Sequence, residues 1–95
     1  MSFFTYILYS PRFDIYYVGF TSNLEKRLNE HNEIGVGTFT SKYRPWKLHA
    51  FISFETRSQA MLAEKYLKKK PREFLRRVSS ESGLVDYIKT KFAIG

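Results

Sequence analysis

Two β-prone runs separated by a tight-turn signal constrain this chain more than any other feature in it. "FFTYILY" (3–9) and "IYYVG" (15–19) are built from β-branched and aromatic residues, and Ser10, Pro11 and Asp14 between them supply turn chemistry. Two such runs at this spacing predict an antiparallel hairpin. With the turn centred on Pro11–Arg12, residues whose numbers sum to about 23 lie opposite each other, which sets Tyr6 beside Tyr17. Side chains alternate along a strand, so Tyr16 and Tyr17 face opposite sides and Tyr17 shares its side with Gly19.

The rest of the chain extends this hairpin into one compact unit. "TSNLEKRLNEHNE" reads as a helix over 22–32, with Ser22 and Glu25 forming a capping box. "IGVGTFTSKYRP" (34–45) reads as a loop. "WKLHAFISF" (46–54) predicts a third strand over 47–54, with Trp46, Leu48, Ala50, Ile52 and Phe54 on one face and Lys47, His49, Phe51 and Ser53 on the other. Thr56 and Gln59 cap a second helix over 57–69, and Pro71 suits the first turn of a third. Ser82 is placed to cap a last short helix carrying Leu84, Val85, Ile88 and Phe92. The fold class expected is α+β: a three-stranded antiparallel sheet flanked by helices, in one domain over residues 1–95.

Composition narrows the function classes. Nine Phe and seven Tyr within a 43% hydrophobic chain argue for a packed core and against disorder. With no cysteine there is no disulfide framework, thiolate zinc site or cysteine nucleophile, which suits a reducing cytoplasm. No apolar run approaches the ~18–20 residues of a membrane span. The N-terminus has neither a basic leader nor a small-residue cleavage site and reads as mature protein. Sixteen Lys and Arg against nine Asp and Glu give a net charge of +7, which favours an anionic partner, most often nucleic acid. The bland alternative is a basic protein whose charges only solvate it. Lys65, Lys68, Lys69, Lys70, Arg72, Arg76 and Arg77 gather around the end of the second helix and the start of the third, as a phosphate-tracking face or a solvated one.

Polar residues on apolar faces point to a site. Projected at ~100° per residue, Leu24, Arg27, Leu28 and His31 form one stripe of the first helix. On the second, Ala60, Ala63, Glu64 and Leu67 form a stripe with a carboxylate inside it, while Leu62 and Tyr66 define a competing one. A plain Arg27–Glu64 ion pair, or an arginine snorkelling to the rim, is the structural account of these anomalies. The functional alternative joins Tyr6, Tyr17, Arg27, His31 and Glu64: a phenol as base, an arginine steadying phosphorane charge, and a lone glutamate on one divalent cation.

Those residues carry a resemblance. "TYIL…YYVGFTSNLEKRLNEHN…FT…WKL…F…FETRSQAMLAEKYLKK" resembles the GIY-YIG nuclease superfamily, and within it the small single-domain bacterial proteins described as excision-repair-nuclease-like. It covers about residues 4–70 in order and leaves 71–95 as a helical extension. The resemblance implies that Tyr6 or Tyr17 takes the proton of an attacking water and that Arg27 steadies the developing charge. It implies that His31 assists proton transfer or orients Tyr6, that Glu64 holds one Mg²⁺ or Mn²⁺, and that Gly19 ends the second motif where a side chain would crowd the backbone. The function implied is a metal-dependent endonuclease acting on nucleic acid, DNA before RNA, in repair or recombination, with a protein partner supplying specificity. Phe4 replaces the first motif's glycine, and Phe20 stands where some relatives place a lysine that activates a tyrosine. A nucleic-acid-binding module of the same fold that does not cleave is therefore the second reading.

Overall fold

The computed structural model describes residues 2–33, 42–81 and 83–93. The elements run β1 (Phe3–Ser10), β2 (Ile15–Thr21), α1 (Leu24–Asn32), β3 (Lys47–Phe54), α2 (Arg57–Lys68), α3 (Arg72–Ser80) and α4 (Leu84–Ala93). The three strands form one antiparallel sheet in the order β2-β1-β3. The expected α+β class holds. Strand β1 lies in the middle, which is why Thr5, Tyr6, Ile7 and Leu8 are all buried in succession: both of its faces are covered.

The two faces build two cores. Ile7, Val18, Ile52 and Phe54 pack with Ala60, Ala63 and Leu67 of α2, Leu75 and Val78 of α3, and Ile88 of α4. Each large aliphatic in that layer contributes on the order of 1.5–3 kcal/mol by leaving water. The opposite face holds Tyr6, Leu8 and Trp46, with Ile15, Tyr17, Leu24, Leu28 and Tyr43 against them. Helices α1 and α2 thus sit on opposite sides of the sheet. The Thr5 hydroxyl, buried in the α2 layer, donates to the Ala60 carbonyl at 2.8 Å.

Several local expectations are corrected. The hairpin register is displaced by two residues: Tyr6 pairs with Gly19 and Tyr17 with Leu8. Four residues, Pro11 to Asp14, separate the last pair Ser10–Ile15, and the Asp14 amide donates to the Ser10 carbonyl at 2.7 Å. Asp14 adopts the left-handed φ of 54°, a conformation that a short polar side chain tolerates. A shift of two preserves the faces, so Tyr6, Tyr17 and Gly19 remain on one side.

Helix α1 starts later than expected. Asn23, not Ser22, is its cap, and the Asn23 side chain accepts from the Lys26 amide at 3.0 Å. On α2 the expected Thr56–Gln59 capping box is present, with both bonds at 3.2 Å. The side alternation predicted for β3 fails at a bulge: Ile7 pairs with Ala50 and Leu8 with Leu48, so His49 is an extra residue. Trp46 consequently joins Tyr6 and Leu8, while Ile52 and Phe54 line the other face. Pro71 is the N-cap of α3 rather than part of its first turn. The loop expected at 34–41 and the cap expected at Ser82 lie outside the described residues.

Candidate active site

Tyr6 is the centre of the site. Its side chain extends from the middle strand across Gly19 on β2, where a Cβ would come within 2.5 Å of the phenol oxygen. That oxygen lies 2.9 Å from Nε2 of His31, which α1 buries against the same face. Tyr17 meets the His31 ring edge-on with centroids 5.0 Å apart, and it packs on Trp46 at 6.2 Å. The Trp46 backbone is held by Asn32, whose Oδ1 accepts from its amide at 2.6 Å and whose Nδ2 donates to its carbonyl at 3.1 Å. Asn32 escaped the reading of the sequence because a bond to a distant backbone leaves no periodic trace.

Arg27 stands one helical turn before His31, at the edge of the buried stripe. Its side chain is 46% exposed and pairs with Glu30 at 3.1 Å. It borders an open groove of about 410 Å³ between Phe20 and Thr21 at the end of β2 and Asn23 and Lys26 at the start of α1. Glu64 projects from α2 in the opposite layer, 18% exposed, with Lys68 at 3.3 Å as its salt-bridge partner. The Arg27–Glu64 pair considered from the sequence is absent from the salt bridges of the described residues: each side chain has a nearer partner on its own helix. The competing stripe of α2 is also resolved, since Ala60, Ala63 and Leu67 are the fully buried positions and Leu62 is exposed.

Protonation follows from this packing. Burial pushes the Tyr6 phenol up to about 12, Arg27 beside it pulls the other way, and the negative charges that Tyr17 and Glu64 can carry reinforce the rise. Burial, then the positive charge of Arg27, lowers His31 below its usual value, with Glu30 opposing. Arg27 is raised, first through the Tyr6 phenol. At neutral pH the phenol therefore keeps its proton and the imidazole is neutral, and the two share one hydrogen bond whose direction the histidine tautomer sets. Glu64 lies close enough for its charge to act on Tyr6 across the sheet.

Tyr6, Tyr17, Gly19, Arg27 and His31 are thus gathered on one face, and Glu64 in the other layer acts electrostatically on Tyr6. The basic cluster is more dispersed than its sequence suggests. Lys68 is held by Glu64, Arg72 by Asp14, Arg76 by Glu73 and Arg77 by Glu81. Lys70 lies over the rings of Tyr66 and Phe74, while Lys65 and Lys69 make no side-chain ion pair or ring contact among the described residues.

Residues 2–77 match the GIY-YIG catalytic domain. The chain belongs to the GIY-YIG family. A UPF0213 protein of Bacillus velezensis is 39% identical over 77 residues, covering 78% of each chain. A UPF0213 protein of Bacillus licheniformis is 44% identical over 57 residues, which is 60% of this chain and spans 59% of that protein's length. Among solved structures, the solution NMR structure of the UPF0213 protein BH0048 from Bacillus halodurans superposes with a TM-score of 0.53 at 26% identity, covering 95% of this chain and 94% of that one. The GIY-YIG fold expected from the motifs is the fold observed, and the family is one of nucleases. No helix is long and apolar enough to cross a membrane among the described residues.

Proposed function

We propose that this GIY-YIG chain is a divalent-metal-dependent endonuclease that hydrolyses phosphodiester bonds. The observation that carries the proposal is the buried Tyr6–His31 hydrogen bond set beside the Arg27 guanidinium. Water attacks phosphorus, its new P–O bond forms as the bond to the leaving oxygen breaks, the leaving oxygen takes a proton from solvent, and a proton must leave the attacking water. A phenol held near 12 accepts that proton only as its own passes on, and His31 Nε2 is in place to receive it. Tyr6 acts as a relay and His31 as the final base. Arg27, raised and half-exposed on the groove wall, faces the position where phosphoryl charge grows. Tyr17 keeps the imidazole oriented through its edge contact.

The donor set fits one magnesium or manganese ion. No group of three or more ligating side chains is present among the described residues, and a hard cation that keeps most of its waters needs only a carboxylate and substrate oxygens. Glu64 would hold it by exchanging Lys68, an exposed partner, for the metal. Such an ion, when bound, supplies positive charge to the phosphoryl and leaving oxygens.

DNA as substrate, a part in repair or recombination, a cytoplasmic setting and a partner that supplies specificity complete the proposal. The net charge of +7 and the absence of cysteine support its first and third elements. One observation favours a binding module that does not cleave: the Tyr6 phenol is held firmly protonated.

A cleavage assay decides between them. Single-stranded, duplex and branched DNA, and RNA, are incubated with Mg²⁺ or Mn²⁺ and wild-type protein or Glu64→Gln. The nuclease reading expects metal-dependent cleavage that Gln abolishes while binding in EDTA persists. Stability should change little, since an i,i+4 helix pair with a half-exposed lysine is worth only about 0.3–0.5 kcal/mol. Binding without cleavage by the wild type on every substrate leaves the binding module.

A further inference from the structure

The hairpin tip and the segment entering β3 meet at a place that the catalytic reading does not use. Phe13 stands at the tip, 42% exposed, and belongs to neither buried cluster. Its ring meets Tyr43 edge-on, with centroids 5.2 Å apart at 83°. Each ring carries a cation: the Arg12 guanidinium is 5.5 Å from the Phe13 centroid, and the Lys42 ammonium 5.8 Å from that of Tyr43. Beside them opens a groove of about 390 Å³ lined by Arg12, Phe13, Asn32, Lys42, Arg44 and Pro45.

This groove borders the layer that holds the site. Tyr43 packs on the cluster that contains Tyr6, Tyr17 and Trp46. Asn32 on its wall follows His31 directly and fixes the Trp46 backbone. A large ring left 42% exposed at a turn adds little to the core, and two cations flanking a pair of rings match a nucleotide strand, with π-faces for the bases and positive charge for the phosphates. A base inside a duplex offers no free face to such a ring, whereas a splayed base does.

We propose that Phe13 and Tyr43 form a stacking subsite for one unpaired nucleobase, with Arg12 and Lys42 holding the flanking phosphates. The strand presented to Tyr6 and His31 is then single-stranded at that point. The choice of nucleic acid as ligand rests on the nuclease reading; the subsite itself is tested without metal and without cleavage.

The test is equilibrium binding in EDTA of a dye-labelled oligothymidylate and of a blunt duplex, to wild type, Phe13→Ala, Phe13→Trp and Lys42→Ala. Circular dichroism confirms that each variant is folded, as an exposed tip position allows. Phe13→Ala should weaken single-strand binding by about five-fold or more, the loss of one stacked base, and change duplex binding by less than about two-fold. Phe13→Trp should restore it, and Lys42→Ala should weaken it with a shallower salt dependence. Unchanged single-strand affinity in Phe13→Ala, an equal loss on single strand and duplex, or no oligonucleotide binding by the wild type overturns the subsite. Stacking-dependent binding without cleavage on any substrate keeps the subsite and removes the nuclease. Cleavage with Phe13→Ala binding unchanged does the reverse.

Discussion

Tyr6 lies across Gly19 on the neighbouring strand, so close that a methyl group on the glycine would come within 2.5 Å of the phenol oxygen and 2.7 Å of Cζ. Gly19 is absent from the positive-φ glycines of the chain, so the position requires room rather than backbone freedom. Gly19→Ala must therefore push the Tyr6 ring off His31. Overpacking of this kind costs about 1–3 kcal/mol, and the relay is lost with it. Urea unfolding and the cleavage assay check both halves. An alanine variant with wild-type stability and activity would refute the close approach.

The Tyr6–His31 bond predicts its own removal. Tyr6→Phe keeps the ring and deletes the hydroxyl, leaving a buried Nε2 without this partner at a cost of about 1–3 kcal/mol. The gap in stability between wild type and variant should also depend on alkali. The folded phenol is raised to about 12 against a usual 10, so the unfolded chain loses its proton first. The gap should be constant below pH 10 and narrow as pH rises from there towards 12. Denaturant midpoints for the two proteins across that range measure it.

His31 gives the acid limb. Its folded value lies below 6.5, so as pH falls through 6.5 the unfolded chain binds the proton first. The contribution of neutral His31 is thus full above 6.5 and is lost as pH drops through the folded value. His31→Gln should flatten that decline, and cleavage should fall over the same range as the base is protonated. Midpoints and rates between about pH 5 and 8 test this, because few other side chains titrate there.

Much of this architecture is legible in the residues themselves, for physical reasons that also mark where legibility ends. Strand periodicity fixes which side chains share a face, so Tyr6, Tyr17 and Gly19 come together even though the hairpin register is displaced by two. Turn length sets that register, and nothing in "SPRFD" announces that Asp14 takes a left-handed φ and closes a four-residue loop. The bulge at His49 is equally silent, since it depends on pairing with β1 and carries no local signature. Helical spacing puts Arg27 and His31 on one stripe, yet burial separates them into a half-exposed cation and a buried base. The partners of Arg27 and Glu64 were legible only after the layers were known, because α1 and α2 lie on opposite faces.

The basic cluster supplies a last prediction, in which charge counted along the chain and charge free to meet phosphate are separated. Arg77 is held by both carboxylate oxygens of Glu81, at 2.8 and 2.9 Å, and Arg76 by Glu73 at 2.8 Å. Each such pair is neutral as a unit. Lys65 and Lys69 carry no such partner among the described residues. If DNA follows this face, Lys65→Ala with Lys69→Ala should lower the log–log salt slope of binding by about 0.7–0.9 for each lysine on a phosphate. Removing the pair Arg77→Ala with Glu81→Ala should leave the slope unchanged. The pair is exposed and exposed pairs are worth at most about 1 kcal/mol, so phosphate can in principle displace the carboxylate. A slope that falls equally in the pair-deleted protein would show that it does, and that Arg77 binds phosphate as well. A slope that moves in neither protein would assign Lys65, Lys69 and Arg77 to solvation.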